Sequence, residues 1–233
     1  YRVHDSPDTK KIKKLKNILH RFGIKTPITS LTEPKQFNII IEKIKKLKNF
    51  EQFQILLLRS MSLANYETKN KGHFGLAAKY YTHFTSPIRR YPDVIVHRKL
   101  QEILSNKVLQ DPNTENKCIH LSKREELATK AERSSIKFMQ VKYMSSKINK
   151  IYKGTISGVI ERGVFVEINE NKCEGFIKLK DLPGDYFLFD NINLLVYGRH
   201  TKKEYQLGDV VSVKVMSTDI INKRIELKLL ENN

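Results

Sequence analysis

The sequence has no tryptophan, no run of eighteen apolar residues, and only two cysteines among 233 residues. Without such a run, no transmembrane helix is predicted. Cys118 and Cys173 lie far apart, with no second cysteine or histidine at ligand spacing, so neither a disulfide framework nor a zinc site is indicated. We therefore expect a cytoplasmic protein. The opening "YRVHDSPDTKK" resembles no signal peptide and lacks an initiator Met, so we expect a fragment of a longer chain.

Acidic residues are too few to balance the basic ones, and the net charge is +18. Residues 1–149 carry 30 Lys+Arg against 13 Asp+Glu, whereas residues 150–233 carry 13 against 12. A basic excess this large indicates a polyanionic partner. We favour nucleic acid over a membrane surface because no strongly apolar amphipathic face accompanies the lysines.

Glycine is scarce before residue 150, and seven of the ten glycines follow it. In the first part, apolar residues recur at helical spacing, which predicts helices over residues 12–22, 37–47 and 53–64. From residue 152 the period changes to two, and five β-runs predict a five-stranded antiparallel barrel of the OB type. The predicted fold class is α+β, with domains at 1–149 and 150–233. The connection 181–207 is long enough to be functional or poorly ordered.

A long helix is predicted to begin at "LSKREELATKAERSSIKFMQVKYM", because Ser122 and Glu125 form a capping-box pattern. One edge of this helix has mostly apolar residues, and we expect it to be buried. An acid in an apolar stripe costs free energy unless it is paired or used, so Glu132 either bridges a neighbouring arginine or belongs to a site. The edge comprises Ala128, Glu132, Ile136, Met139 and Tyr143.

The segment "HFTSPIRRYPD", residues 83–93, fixes two arginines between two prolines. Ser86 and Pro87 are typical of a helix start, and the residue before Pro92 disfavours the helical conformation. We therefore predict one helical turn, an interruption, and a restart at Pro92 with Asp93 in the new first turn.

Arg89 and Arg90 would then lie near helix N-termini, where backbone N–H groups favour an anion. Guanidinium groups there make a phosphate site. Adjacent residues diverge by about 100° on a turn, so we expect one arginine to face the ligand while the other pairs with a carboxylate such as Glu132 or Asp93. The alternative is a purely structural ion-pair hub. A metal cluster of His73, His83 and His97 is a less favoured interpretation than ordinary packing.

Several of these stretches together resemble a known family. "GHFGLA" followed by "Y-x-HFTSPIRRYPD-x-x-x-HR", and then "AERSSIKFMQVKYM", resemble the C-terminal part of the catalytic domain of the RNB-family exoribonucleases. The tail, from "YKGTISGVIERGVFVEI" to "RIELKLL", resembles the OB-fold RNA-binding domain named after ribosomal protein S-one. The resemblance extends over essentially the whole chain.

The resemblance implies processive cleavage of single-stranded RNA from the 3′ end, with release of nucleoside 5′-monophosphates. It assigns Arg89 as the catalytic arginine at the scissile phosphate, and Glu132 as a carboxylate near the terminal nucleotide. It implies Mg²⁺ as cofactor, a monomer, and no membrane or other small-molecule cofactor. The family's aspartate motif is missing from this sequence, so we expect no metal ligand within the chain and no activity of the chain alone.

Candidate RNA-binding residues fall in both parts of the chain. Single-strand stacking platforms combine exposed aromatics with basic neighbours, although barrel aromatics are often core residues. Two alternatives to the enzyme remain open: a non-catalytic RNA-binding protein acting through the barrel, and a ribosome-associated basic protein. The candidates are His83, Arg90 and Tyr91, then Phe165, Phe176, Lys178 and Arg224, with Tyr186, Phe187 and Phe189 as second choice.

Overall fold

Helices dominate the chain up to residue 145. The computed structural model describes residues 1–25, 33–46, 50–107 and 111–230. Two short strands, β1 (Arg2–Val3) and β2 (Asn65–Tyr66), pair antiparallel beside these helices. Within the described ranges the helices are α1 (Thr9–Arg21), α2 (Pro34–Ile44), α3 (Phe50–Ser60), α4 (Tyr91–Leu104) and α5 (Thr114–Ser145).

The first three helices form around the predicted apolar residues and pack on one another. Asp8 caps α1 by accepting a bond from the Lys10 N–H, and Gly23 ends the helical segment in the left-handed region, at φ +77°. The predicted end of the second helix at Leu47 lies outside the described residues. The predicted end of the third at Ala64 is wrong, since α3 stops at Ser60. Their shared core contains Ile12, Leu15, Leu19, Phe37, Ile40, Ile44, Phe53 and Leu57.

Helix α5 is longer than predicted, and its start at Ser122 is wrong. The helix begins eight residues earlier, at Thr114. Ser122 lies inside it, where its hydroxyl donates to the Cys118 carbonyl at 2.9 Å and accepts from the Tyr66 N–H at 2.9 Å. A serine followed by an acid three residues later is therefore not a cap here, because the serine hydroxyl bonds back to the preceding turn.

The edge of α5 that we expected to be buried is exposed. This correction covers Ala128, Glu132, Ile136, Met139 and Tyr143. Burial occurs only near the C-terminal end of the helix, where Val141 and Met144 pack into the barrel core. One turn earlier, Lys137 Nζ donates to the Glu174 carbonyl at 2.5 Å, which ties the helix to the barrel surface.

Residues after 150 form a closed five-stranded barrel. Its strands are β3 (Ile151–Ile160), β4 (Gly163–Ile168), β5 (Glu174–Lys178), β9 (Val210–Asp219) and β10 (Arg224–Leu230), in the order β10-β5-β4-β3-β9. The five predicted β-runs are confirmed, but the antiparallel prediction is wrong at one pair, because β10 and β5 run parallel. That pair closes the barrel between strands far apart in sequence, which local spacing does not reveal.

The long connection between β5 and β9 has structure of its own. It contains a three-stranded antiparallel sheet of β6 (Phe187–Asp190), β7 (Leu195–Gly198) and β8 (Glu204–Gln206). Leu194 packs against the core of α1–α3, and Lys14 Nζ donates to Asn191 Oδ1 at 3.3 Å. This sheet therefore joins the barrel to the first helices. Among the described residues, no helix is long and apolar enough to span a membrane.

Candidate nucleic-acid interface

The two arginines lie on a short turn immediately before α4. The backbone N–H groups of Arg89 and Arg90 donate to the Ser86 carbonyl at 3.3 and 3.0 Å. Arg90 is extended (φ −129°, ψ 106°), and α4 begins at Tyr91 with Pro92 in its first turn. The predicted turn and restart are thus observed, with the restart one residue earlier than expected.

Arg90 pairs with a carboxylate that is completely shielded from solvent. Its Nη2 lies 3.0 Å from Oδ2 of Asp93, whose side chain is 0% exposed. The same oxygen accepts the Ser86 N–H at 2.8 Å. Burial acts to raise the pKa of Asp93, but the bonds from Ser86 and Arg90 outweigh it and hold that pKa below its ordinary value. Glu132 and Asp93 were the two carboxylates expected as possible partners. Arg90 pairs with Asp93, and this pair fixes the turn.

Arg89 is exposed and has no such partner. Its nearest side-chain contact joins Nη2 to Ser86 Oγ at 3.5 Å, at the limit of a hydrogen bond. Within the described part of the chain, no carboxylate forms an ion pair with Arg89 or with Arg90 other than Asp93. The turn therefore presents one free guanidinium to solvent and immobilises the other. The predicted pairing of one arginine with a carboxylate is observed. Contact of Arg89 with a phosphate and of Arg90 with RNA both stay predictions.

The predicted bridge from Glu132 to a neighbouring arginine is not observed. Glu132 is exposed on α5 and forms no ion pair with a described residue. Another carboxylate of α5, Glu125, does pair with an arginine: it receives two bonds from Arg2, including Nη2 to Oε1 at 3.0 Å. The Arg2 guanidinium also lies 4.7 Å from the centre of the Tyr66 ring. Sequence reasoning missed this pair because its members are 123 residues apart and no local spacing links them.

His83 is held in an aromatic cluster beside the arginine turn. Its Nδ1 is 2.8 Å from the Tyr66 hydroxyl, and its ring packs edge-on against Tyr66 and Tyr81. Burial lowers the pKa of His83, and the positive charges of Arg90 and Arg2 lower it further. His83 is therefore an uncharged, half-buried residue at neutral pH, and its predicted contact with RNA remains untested.

Tyr91 is half exposed at the start of α4. Its hydroxyl accepts a bond from Arg98 Nη1 at 3.4 Å, and the Arg98 guanidinium lies 6.0 Å from the ring centre. Its ring and the exposed Arg89 belong to the same turn, which keeps Tyr91 available as a predicted RNA contact.

The residues that the structure describes contain no group of three or more His, Cys, Asp or Glu that could hold a metal ion. The disfavoured cluster of three histidines does not form, since each ring has its own local partner. His73 Nδ1 accepts the Leu76 N–H at 3.2 Å, and His97 Nε2 lies 2.7 Å from the Phe84 carbonyl oxygen.

Two phenylalanines lie side by side on the outer face of the barrel. Phe165 of β4 stands directly opposite Phe176 of β5, with ring centres 4.9 Å apart. Their strand neighbours Val164, Val166 and Ile177 are the ones buried in the barrel interior. The two rings therefore lie outside the barrel core and are partly exposed. We call Phe165 and Phe176 the phenylalanine pair.

The basic candidates of the barrel differ in their partners. Lys178 Nζ forms an ion pair with Glu226 Oε1 at 2.8 Å, which raises the pKa of the lysine. Arg224 is exposed at the start of β10. Of the second-choice aromatics, Tyr186 is exposed and Phe189 packs partly against the core. Phe187 was a wrong choice as a stacking residue, because it is only 3% exposed within the barrel core.

The comparisons with known proteins agree with this geometry. Residues 1–106 match the RNB domain family, and residues 145–229 match the S1 RNA binding domain family. The chain thus joins part of an RNB domain to an S1 domain. It is a ribonuclease R-like chain of the RNB family.

Individual relatives match nearly the whole chain. Ribonuclease R of Aquifex aeolicus is 40% identical over 235 residues, covering 99% of this chain and 33% of that protein. The apo form of Mycoplasma genitalium RNase R superposes with a TM-score of 0.91 at 30% identity, covering 99% of this chain and 37% of the other. The same enzyme in complex with ribose methylated single-stranded RNA gives 0.91 at 31% identity, with the same coverage. The chain therefore spans about a third of the length of these relatives.

Proposed function

We propose that the chain is part of a processive 3′-to-5′ exoribonuclease that hydrolyses single-stranded RNA to nucleoside 5′-monophosphates. One observation carries the proposal: the exposed Arg89 has no ion-pair partner among the described residues, and it lies on a turn that is tied down by Arg90 and the buried Asp93. The ribonuclease R relatives and the RNA bound to one of them support the same class of activity.

Arg89 would act on the phosphate. A guanidinium presents a planar fork of donors that can bind two phosphoryl oxygens at once. When negative charge builds on those oxygens in the transition state, a positioned cation stabilises it without having to reorganise. The Arg90–Asp93 pair contributes by fixing the backbone that carries Arg89, so Arg90 is a positioning residue. Glu132, exposed and unpaired on α5, is proposed to lie near the terminal nucleotide.

Magnesium is the proposed cofactor, but the described residues do not fit a site for it. They provide no cluster of three or more His, Cys, Asp or Glu side chains that could hold the ion. We therefore assign Mg²⁺ to residues outside this chain. The chain supplies the arginine and part of the RNA path.

The test measures release of mononucleotides from 3′-labelled single-stranded RNA in the presence of Mg²⁺. The purified 233-residue chain should bind the RNA without degrading it, whereas a longer protein that contains it should release mononucleotides. Turnover by the chain alone would refute the assignment of the metal site. If the longer protein binds RNA but leaves it intact, the exonuclease proposal itself is wrong.

A second candidate function is RNA binding without catalysis, acting through the barrel. The observation that favours it is the phenylalanine pair, which lies on the outer face where bases could stack. The same experiment separates the two functions, because only an enzyme converts bound RNA into mononucleotides. For either function we propose a cytoplasmic monomer that acts on single-stranded RNA.

A further inference from the structure

An arginine of the first helices lies beside the phenylalanine pair of the barrel. Arg59 is in the last turn of α3, and Gly158 of β3 stands directly opposite Phe165. A Cβ placed on Gly158 would lie 3.4 Å from Phe165 Cδ2 and 4.0 Å from Arg59 Nη1. Gly158 is itself buried, and its missing side chain lets the Phe165 ring and the Arg59 guanidinium lie close to each other.

The strand register extends this contact into a strip. Gly158, Phe165 and Phe176 are consecutive partners across β3, β4 and β5. The next partner across the barrel, on β10, is Glu226. The strip is therefore apolar at its centre, with Arg59 at the β3 end and a carboxylate at the β10 end.

The charges at the two ends are not equivalent. Lys178 lies beside Phe176, but its ammonium group is neutralised by Glu226 at 2.8 Å. Arg59 is exposed, and it forms no ion pair or side-chain hydrogen bond with any residue that the structure describes. The dipole of α3 favours a cation at the helix C-terminus, but this weak effect offers no partner for five N–H donors. The uncompensated positive charge of the strip is that of Arg59.

The position of Arg59 also bridges the two parts of the chain. A cavity of about 50 Å³ between the first helices and the barrel is lined by Arg59 and Gly158, together with Phe53 and Leu194. A ligand touching both Arg59 and the phenylalanine pair would therefore contact α3 and the barrel at once.

We propose that Arg59, Gly158 and the phenylalanine pair form one nucleotide-binding site for single-stranded RNA. A base stacks on the two rings, and a phosphate adjoining that base pairs with the exposed Arg59, which lies beside Gly158. Aromatic stacking tolerates any base, and an arginine recognises phosphate without regard to sequence, so the site is not sequence-specific. The proposal rests on RNA binding by the chain, as proposed above, and adds a residue of the RNB part to the surface of the barrel.

The experiment measures binding of the full 233-residue chain to a fluorescent oligouridylate of about 12 nucleotides, at several salt concentrations. Arg59→Gln should weaken binding about five- to tenfold, and it should lower the slope of log affinity against log salt by about 0.7, the loss of one phosphate contact. Phe165→Leu should weaken binding by about tenfold and leave the slope unchanged. Arg199→Gln is the matched control, because Arg199 is an exposed arginine in the turn between β7 and β8.

A double variant tests whether the residues act as one site. If one nucleotide uses both contacts, Arg59→Gln should weaken binding less in the Phe165→Leu background than in the native chain. Gly158→Val provides an independent variant, since its side chain would fill the space above Phe165 and weaken binding while both partners remain. Thermal unfolding followed by circular dichroism checks that each variant is folded.

The outcomes separate this site from the proposed function. If the native chain binds the oligonucleotide but Arg59→Gln and Arg199→Gln have the same affinity and the same salt slope, the proposed site is wrong. RNA binding by the chain would still stand. Additive effects of Arg59→Gln and Phe165→Leu would overturn the shared nucleotide. A native chain that does not bind RNA would overturn both proposals.

Discussion

Exchanging each arginine of the turn for glutamine should have very different consequences for stability. Arg90→Gln leaves the carboxylate of Asp93, which is 0% exposed, without its cation. Removing one partner of a buried pair costs about 3–5 kcal/mol. Because the Arg90 side chain is itself 22% exposed, we expect the lower end of that range, about 3 kcal/mol. Arg89→Gln removes only a marginal contact with Ser86, so its effect should stay within about 0.5 kcal/mol.

The cost of Arg90→Gln should depend on pH in a defined direction. In the native chain the folded pKa of Asp93 lies below its ordinary value of 3.8, so its contribution is fully present above that pH and is lost as pH falls through the folded pKa. Without Arg90, the carboxylate keeps its burial but loses a hydrogen bond and a positive charge that lower its pKa, so the folded pKa should rise. The penalty of Arg90→Gln is then greatest at neutral pH and shrinks as the pH falls toward that raised value.

Native-state hydrogen exchange followed by mass spectrometry can measure both effects. Peptides covering residues 84–98 report the opening of the turn and of α4, and peptides from β3 and β4 serve as an internal reference. Protection of the first set should fall in Arg90→Gln alone, and less at pH 5 than at neutral pH, with the reference unchanged. Equal losses in Arg89→Gln and Arg90→Gln, or a loss independent of pH, would refute the assignment of Asp93 as a buried, paired carboxylate.

Two further predictions concern activity and acid sensitivity. In a longer, active protein containing this chain, Arg89→Gln should lower kcat by about 100- to 1000-fold in single-turnover assays, with little change in KM; an unchanged kcat would argue against contact with the reacting phosphate. Burial lowers the folded pKa of His73 and of His83 below 6.5, so their contribution to stability is present above that pH and is lost as pH falls through the folded values. Urea unfolding should therefore show falling stability between about pH 7.5 and pH 5, and His73→Gln with His83→Gln should flatten that slope; an unchanged slope would contradict the prediction.

Features of the arginine turn could be read from the sequence because they are local. Pro92 and Asp93 lie within a few residues of the arginines they constrain, so turn chemistry and helix capping predict both the interruption and the pairing. The outward position of Phe165 follows in the same way, since it alternates with Val164 and Val166 along one strand. Period-two reasoning could have resolved the choice between core and surface before the structure did.

The features that were predicted wrongly, or missed, depend on partners that are distant in sequence. The start of α5 was misplaced because local spacing does not reveal the contact between Ser122 and Tyr66. We expected Glu132 to pair and overlooked Glu125, because the partner of Glu125 is Arg2, 123 residues away. The parallel contact between β5 and β10 is equally invisible to local patterns. Arg59 was missed as a candidate because its position beside Gly158 exists only after α3 and the barrel have packed together.

The C-terminal end of α5 leads to a last prediction, which concerns the residues that belong to the folding unit of the barrel. Met144 is 0% exposed inside the barrel core, and Asn171 Nδ2 contacts its sulfur at 3.6 Å. Truncating a buried methionine to alanine costs about 2–5 kcal/mol, so Met144→Ala should lower the stability of the barrel, measured by hydrogen exchange in β3 and β9. Met139→Ala, on the same helix but 58% exposed, is the matched control and should change it by less than about 0.5 kcal/mol.

Equal effects of the two methionine variants would contradict this packing argument. If the prediction holds, the barrel needs the end of α5 as part of its own core. The boundary proposed between residues 149 and 150 would then separate the barrel from two residues of its own core, Val141 and Met144. A protein fragment that begins at residue 150 should be less stable than one that begins at residue 137, because only the longer fragment retains Val141 and Met144 in that core.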